Sequence, residues 1–215
     1  MMIGTMSAPP TCVGKRKLIY LPIIHTPADM GTLGASIRGK KLSTLGRQGL
    51  TRNATVVEKM WEEIERVVAG LPLTWGTVRL YQDGLPVCGH ERVIVSELAA
   101  AGSRNHRMLL QLEARGATLM GTESPELLVQ EYQLATAAFA SGTAVRSNLC
   151  EQQLRDTLLE RRDRFVADRI NKTLGAGECG ILFLGMLHQA AKYLESDIDV
   201  VCPLGQPRVR PRKTR

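Results

Sequence analysis

Several features that mark other protein classes are missing from this 215-residue sequence. No apolar stretch approaches the roughly 20 residues that a helix needs to cross a bilayer. The N-terminal segment lacks the continuous apolar stretch of a signal peptide. The five cysteines are scattered and form no C-x-x-C pair, which is typical of reduced thiols rather than of a zinc ribbon or a disulfide scaffold. We therefore expect a cytoplasmic protein without a membrane partner.

Aromatic residues are also scarce, at 4% of the chain, so little surface is available for stacking nucleic-acid bases. The net charge of +7 is concentrated at the C-terminus, where five of the last eight residues are Lys or Arg. We expect residues 1–205 to form a single α/β domain and residues 206–215 to form a basic, disordered tail. We consequently expect a small-molecule or peptide ligand rather than nucleic acid as the partner. The sequence is also compatible with a homo-oligomer.

The motifs of several well-known enzyme classes are absent as well. The stretch GTLGASIRGKK lacks the spacing of a phosphate-binding P-loop, and no G-x-S-x-G nucleophile elbow is present. These absences count against a P-loop nucleotide hydrolase and against a serine hydrolase of the α/β-hydrolase type.

What the sequence does contain is an alternation of strand-like and helix-like segments. The pattern predicts strands at 17–26, 77–86, 117–124, 179–185 and 197–204, and helices at 53–71, 90–102, 103–116, 124–140, 147–174 and 188–196. No hairpin signal joins neighbouring strands. The expected fold is three-layer α/β/α, with a mainly parallel sheet of about five strands.

Ligands of open parallel sheets bind beyond the carboxyl ends of the strands, and polar residues follow four of the predicted strands. In chain order they are His25 and Asp29, Gln82 and Asp83, Glu123, and His188. Other interpretations remain for two of them, since Asp83-Gly84 is also a turn signal and Glu123 adjoins the helix cap at Ser124. His25 and His188 occupy matching positions after two apolar strands, whereas His90 and His106 fall at helix starts and are expected to be solvated or capping.

The long predicted helix carries two arginines on its apolar face. Arg162 stands four residues after Leu158 and four before Val166, and Arg169 follows Phe165 by four. An arginine that faces a core must be paired or point into a polar cavity. We interpret both as candidate substrate-binding residues, together with Gln82 and Asp29. The alternative for an arginine in this position is a buried ion pair. Arg161, Asp163 and Arg164 fall on the flanks and are expected to be solvated.

Four stretches of the sequence are a strand that ends in IIHT, a second strand that ends in YQDG, the helical segment RDRFVADRI and the late strand segment LFLGMLH. Together they resemble the TraB/Tiki and EreA/ChaN-like superfamily. The resemblance implies an α/β/α fold whose site contains His25, Arg162 and His188, with Asp83 or Glu123 as the acid. The chain departs from the family pattern in lacking Gly-Thr before His25 and in having Gln-Asp-Gly at the end of the second strand. Members differ in activity, including metalloproteases, esterases and haem-binding proteins, so the resemblance does not define the chemistry.

Two functions from different classes fit these residues. The first is a hydrolase that acts on a small or peptide-like substrate, with His25, His188, Asp83 and Glu123 as catalytic residues. His25, His188 and Asp83 could hold a divalent metal that activates water, or a histidine could act directly as general base. The second is a non-catalytic protein that binds a small anion, a nucleotide or haem. The segment at 30–51 is either a lid or a surface loop.

Overall fold

The computed structural model describes residues 15–26, 28–29, 54–140 and 149–205. Its elements are β1 Arg16–Ile23, α1 54–69, β2 Val78–Gln82, α2 Glu91–Ala100, α3 Arg104–Ala114, β3 Thr118–Met120, α4 Pro125–Ala140, α5 Leu149–Thr173, β4 Cys179–Gly185 and β5 Ile198–Val201. Short 3-10 turns at Trp75–Thr77 and Ala190–Tyr193 precede β2 and β5. The predictions for the 30–51 segment and for the 206–215 tail lie outside these residues. Within the described ranges, no helix is both long and apolar enough to cross a membrane.

The five strands form one parallel sheet in the order β3-β2-β4-β1-β5. Strand β4 therefore lies between β1 and β2, with Ile23 paired to Gly185 and Gln82 paired to Phe183. Because all strands run the same way, their carboxyl ends meet along one edge of the sheet. The prediction of an α/β fold with a mainly parallel sheet is confirmed.

Helices cover both faces of the sheet. On one face, α1, α2 and α3 pack on a core that includes Ile19, Leu80 and Phe183. On the other, α5 packs on Leu18 and Leu182. Because both faces of the central strand are covered, every residue of β4 is buried, which explains its uninterrupted apolar sequence. Burial of each large apolar side chain contributes about 1.5–3 kcal/mol to stability.

The prediction of a helix over 188–196 is wrong. Only a 3-10 turn of four residues forms there, at Ala190–Tyr193. Side chains of α5 satisfy the backbone of this segment instead, since Asp163 accepts the Gln189 N–H and Asn171 bonds both the Tyr193 carbonyl and the Glu195 N–H. A nine-residue helix is marginal by itself, so these contacts decide the local conformation.

Four of the five strands are shorter than predicted, since β1 ends at Ile23 and β2 at Gln82. Strand β3 ends at Met120, because the backbone donors at Thr122 and Glu123 both bond the carbonyl of Leu85, beyond the end of β2. Strand β5 ends at Val201. The early end of β3 lets the chain turn so that Glu123 is buried below the carboxyl edge of the sheet.

Candidate active site

Asp83 is the centre of a polar cluster at the carboxyl edge of the sheet. It follows β2 directly, and its side chain is buried. Its Oδ2 accepts the backbone N–H of Gly185 at 2.9 Å and lies 2.9 Å from Nε2 of His25. Its Oδ1 accepts a hydrogen bond from Nη2 of Arg162 at 2.8 Å. One carboxylate thus joins the ends of β1, β2 and β4 to helix α5.

The cluster requires glycine at position 185. A Cβ added there would lie 2.9 Å from Oδ2 of Asp83, 3.5 Å from Cδ2 of His188 and 3.6 Å from Nε2 of His25. The carboxylate and both imidazole rings therefore occupy the space that a side chain would take.

We expect Gly185→Ala to lower the free energy of unfolding by about 1–3 kcal/mol, the usual cost of overpacking. The carboxylate of Asp83 cannot move aside easily, because Arg162 and His25 both bind it. Gly76→Ala is the matched control, since a Cβ there meets nothing within 4 Å. Urea unfolding of both variants measures the difference, and equal midpoints would contradict the crowding at Gly185.

Arg162 is held by three carboxylates. Its Nε and Nη2 bind both oxygens of Glu123, its Nη2 also binds Asp83, and its Nη1 binds Glu131 at 2.7 Å. Glu123 is fully buried, and the Arg162 side chain is 5% exposed. Every guanidinium nitrogen therefore donates to a carboxylate of the protein. Arg162 thus forms the buried ion pair that was the alternative to a substrate-binding role.

His188 forms a dyad with Asp163. Its Nδ1 lies 2.7 Å from Oδ1 of Asp163, whose second oxygen accepts the backbone N–H of Gln189 at 2.9 Å. An ionised carboxylate only accepts, so Nδ1 must carry the proton. In neutral His188, Nε2 is then unprotonated, and it lies 3.5 Å from Oδ2 of Asp83. The expectation that Asp163 is solvated is wrong, because the segment after β4 covers that flank of α5 and buries it.

The environment shifts the pKa of several groups in the cluster. Burial opposes charge on Asp83, but the bond from His25 and the nearby cations hold its pKa far below the usual range. Burial favours neutral histidine, yet the bond to Asp83 raises the pKa of His25 above 6.5, and the bond to Asp163 does the same for His188. Burial raises the pKa of Glu123 in spite of Arg162. Strongly shifted groups gathered in one cleft are typical of functional sites.

A cavity of about 660 Å³ opens above this cluster. His25, Asp83, Arg162 and His188 line its polar side, and much of its remaining wall is aliphatic. Volumes of about 300–1,000 Å³ with a few convergent polar groups are usual for small-molecule sites. The cavity can therefore take an organic ligand and present it to the two histidines.

A second polar group lines another part of the same cavity. The carboxylate of Asp29 accepts hydrogen bonds from the backbone and hydroxyl of Thr26 and from the hydroxyl of Ser103. His106 lies beside them, with Nδ1 2.7 Å from the Ser103 oxygen. Burial opposes charge on Asp29, but these bonds keep its pKa below the usual range. His106, expected to be solvated or capping, is not solvated: it is buried and contacts Ser103, the N-cap of α3.

The structure brings most of the predicted site residues together and leaves two outside. Gln82 is buried beneath the site, where its amide nitrogen donates to the carbonyl of Asp83. Arg169 donates to the carbonyl of Gly121 at 3.0 Å and does not line the cavity. His90 is exposed, as expected. Sequence reasoning missed Glu131 and Asp163, both of which bind a site residue.

Among the described residues, Asp83, Glu123 and His188 form a group that could hold a metal ion, with Glu123 in place of the predicted His25. One ligand atom from each lies within 4.8 Å of the others, and all three side chains are buried. Carboxylate and imidazole ligands suit zinc and other divalent metals. However, Arg162 already donates to both carboxylates, so a cation here would lie beside a guanidinium charge.

Comparison of the chain with protein-family models, with curated proteins and with solved structures gives no match. These comparisons neither support nor contradict the resemblance drawn from the strand-end motifs, and the site must be interpreted from its own geometry.

Proposed function

We propose that the protein is a hydrolase in which His188 activates water against an acyl centre bound in the cavity. The observation that carries this proposal is the Asp163–His188 dyad beside an apolar cavity of about 660 Å³. A buried carboxylate that holds Nδ1–H leaves Nε2 as the basic atom. That is the arrangement by which a histidine acts as general base.

In the proposed reaction, Nε2 of His188 removes a proton from water while the water oxygen bonds to the acyl carbon. The proton then passes to the departing oxygen as its bond to the acyl carbon breaks, which yields an acid and an alcohol. The imidazolium formed in between lies next to Asp163 and 3.5 Å from Asp83. Both carboxylates stabilise its charge, so they favour the proton transfer.

His25 takes a different part in this proposal. Its side chain is 28% exposed, more than that of His188, and Asp83 binds its Nε2. Burial lowers the pKa of His25, but the contact with Asp83 raises it overall and so favours the protonated form, which would supply a positive charge for the oxygen that becomes negative in the transition state. Arg162 and Glu123 then act as positioning residues, since they hold Asp83 rather than the substrate.

A metal-assisted hydrolase is the second candidate, and the Asp83, Glu123 and His188 group is the observation that favours it. A divalent ion held there would lower the pKa of a bound water to near neutrality. The contacts favour the metal-free mechanism over the metal-assisted one, because Arg162, His25 and the Gly185 N–H already bind both oxygens of Asp83.

The test is hydrolysis of nitrophenyl esters of acetic to octanoic acid by wild type, His188→Ala and His90→Ala. We expect His188→Ala to lose about 10²–10⁴-fold in kcat/KM, the usual contribution of general-base catalysis. His90→Ala should match wild type, since His90 is an exposed histidine outside the cavity. Absence of ester hydrolysis by the wild-type protein would overturn the proposal.

Elemental analysis of the same preparations separates the two mechanisms. Full activity after dialysis against a chelator, without bound metal, supports histidine acting alone. Stoichiometric metal that is lost with His188→Ala, together with activity that returns only on adding metal, supports the second candidate.

A further inference from the structure

We infer that the cavity selects an apolar ester that carries no negative charge, and that it accepts a cationic end group in preference to an anionic one. The inference gives the substrate class of the proposed function and rests on the same site. Three features of the cavity support it: its walls, its charge balance and the state of Arg162.

The walls of the cavity are aliphatic on several sides. Helices α2, α4 and α5 and the segment after β4 contribute Ile94, Leu98, Leu128, Ala135, Leu159 and Leu187. Leu187 is 78% exposed, and Met186 and Tyr132, which also line the cavity, are each more than 40% exposed. Exposed apolar residues around a cavity are typical of a ligand-binding surface. A hydrocarbon chain entering from this rim would remain in apolar surroundings up to the histidines.

The charge of the cavity is opposite to that of the whole chain. Five carboxylates line it or bind a residue that does: Asp29, Asp83, Glu123, Glu131 and Asp163. Among the described residues they meet one guanidinium and three imidazoles there, those of Arg162, His25, His106 and His188. Even with Glu123 protonated, as its raised pKa favours, the four remaining carboxylates outnumber Arg162 and His25 together. A net charge of +7 for the chain therefore does not predict an anionic ligand for this site.

Arg162, the cation in the lining, is also not free to bind an anion. A ligand carboxylate or phosphate would have to displace Glu123, Asp83 or Glu131 from it. Displacing Asp83 or Glu123 would leave a buried carboxylate without its partner, which is strongly unfavourable. The hydrolytic reaction benefits from the same charge balance, because its acid product is an anion and is repelled from the cavity once formed.

The test is calorimetric titration of the full-length protein at pH 8 with three ligands that share one chain and differ in charge: octylamine as its ammonium ion, 1-octanol and octanoate. We expect octanoate to bind at least about tenfold more weakly than the other two, a difference within the range of one partly screened charge–charge contact. Binding requires no turnover, so an inactive protein that still discriminates would contradict the proposed function and leave only the charge preference of the cavity standing.

A pair of variants locates the effect. Glu131→Gln removes a carboxylate that lines the cavity, is 51% exposed and binds an arginine. Glu160→Gln removes one that is 52% exposed and also binds an arginine, Arg164, outside the cavity. Glu131→Gln should reduce the ratio of the octanoate and octylammonium dissociation constants several-fold. Glu160→Gln should leave this ratio unchanged. Octanoate binding as tightly as octylammonium, or failure of all three ligands to bind the wild-type protein, would overturn the inference.

Discussion

Replacing Arg162 with methionine should destabilise the fold by about 3–5 kcal/mol, the usual cost of removing one partner from a buried ion pair. The substitution keeps an unbranched apolar stem but leaves Glu123 and Asp83 with their charges uncompensated, and both are buried. The variant's carboxylates then have raised pKa values and become neutral as the pH falls. The difference in free energy of unfolding between the variant and wild type should therefore be largest at neutral pH and should decrease under acidic conditions.

Urea unfolding of wild type and Arg162→Met between pH 4 and pH 8 measures this effect. Arg66→Met is the control, because Arg66 forms an exposed pair with Glu63 within α1, and its loss should leave the unfolding midpoint unchanged. Adding Glu123→Gln to Arg162→Met should recover part of the lost stability, since it removes one uncompensated charge. A pH-independent deficit that Glu123→Gln does not reduce would show that lost packing, and not lost charge compensation, causes it.

The fold and the location of the site could be predicted because both follow from simple patterns. Uninterrupted apolar strands that alternate with amphipathic helices indicate a parallel sheet, and the carboxyl ends of such strands converge on one edge. His25, Asp83, Glu123 and His188 each follow a strand, and the structure places them around one another. The turn signal of Asp83-Gly84 is real as well, so the two interpretations of Asp83 are compatible.

The pairing within the site could not be predicted, because it depends on which loop packs over which helix flank. Helical periodicity places Arg162 on the apolar face but assigns Asp163 to a flank, and a flank becomes buried only when another segment covers it. Here the residues after β4 do so, and they bring His188 and the Gln189 backbone onto Asp163. Glu131 is half-exposed on α4, and nothing in the local pattern links it to Arg162, 31 residues away.

A substitution that reverses the tautomer of His188 should lower activity about as much as removing its side chain. In Asp163→Asn, the side-chain oxygen remains the acceptor for the Gln189 N–H, which lies 2.9 Å from Oδ2 in the native site. The new amide nitrogen then faces Nδ1 of His188, so Nδ1 must accept and Nε2 must carry the proton. A protonated Nε2 cannot remove a proton from water. We expect kcat/KM for the nitrophenyl esters to fall about 10³–10⁴-fold, as when a catalytic histidine is held in the wrong tautomer.

Two measurements distinguish this tautomer effect from general damage to the site. Nitrogen-15 NMR of the ring nitrogens should show the proton on Nδ1 of neutral His188 in wild type and on Nε2 in Asp163→Asn, with His25 unchanged. In wild type, the bond to Asp163 raises the pKa of His188 above 6.5. Because His188 acts only when neutral and His25 only when protonated, wild-type kcat/KM should first increase with pH and then decrease as His25 loses its proton. A variant with the reversed tautomer but native activity would show that His188 is not the base and would favour the metal-assisted candidate.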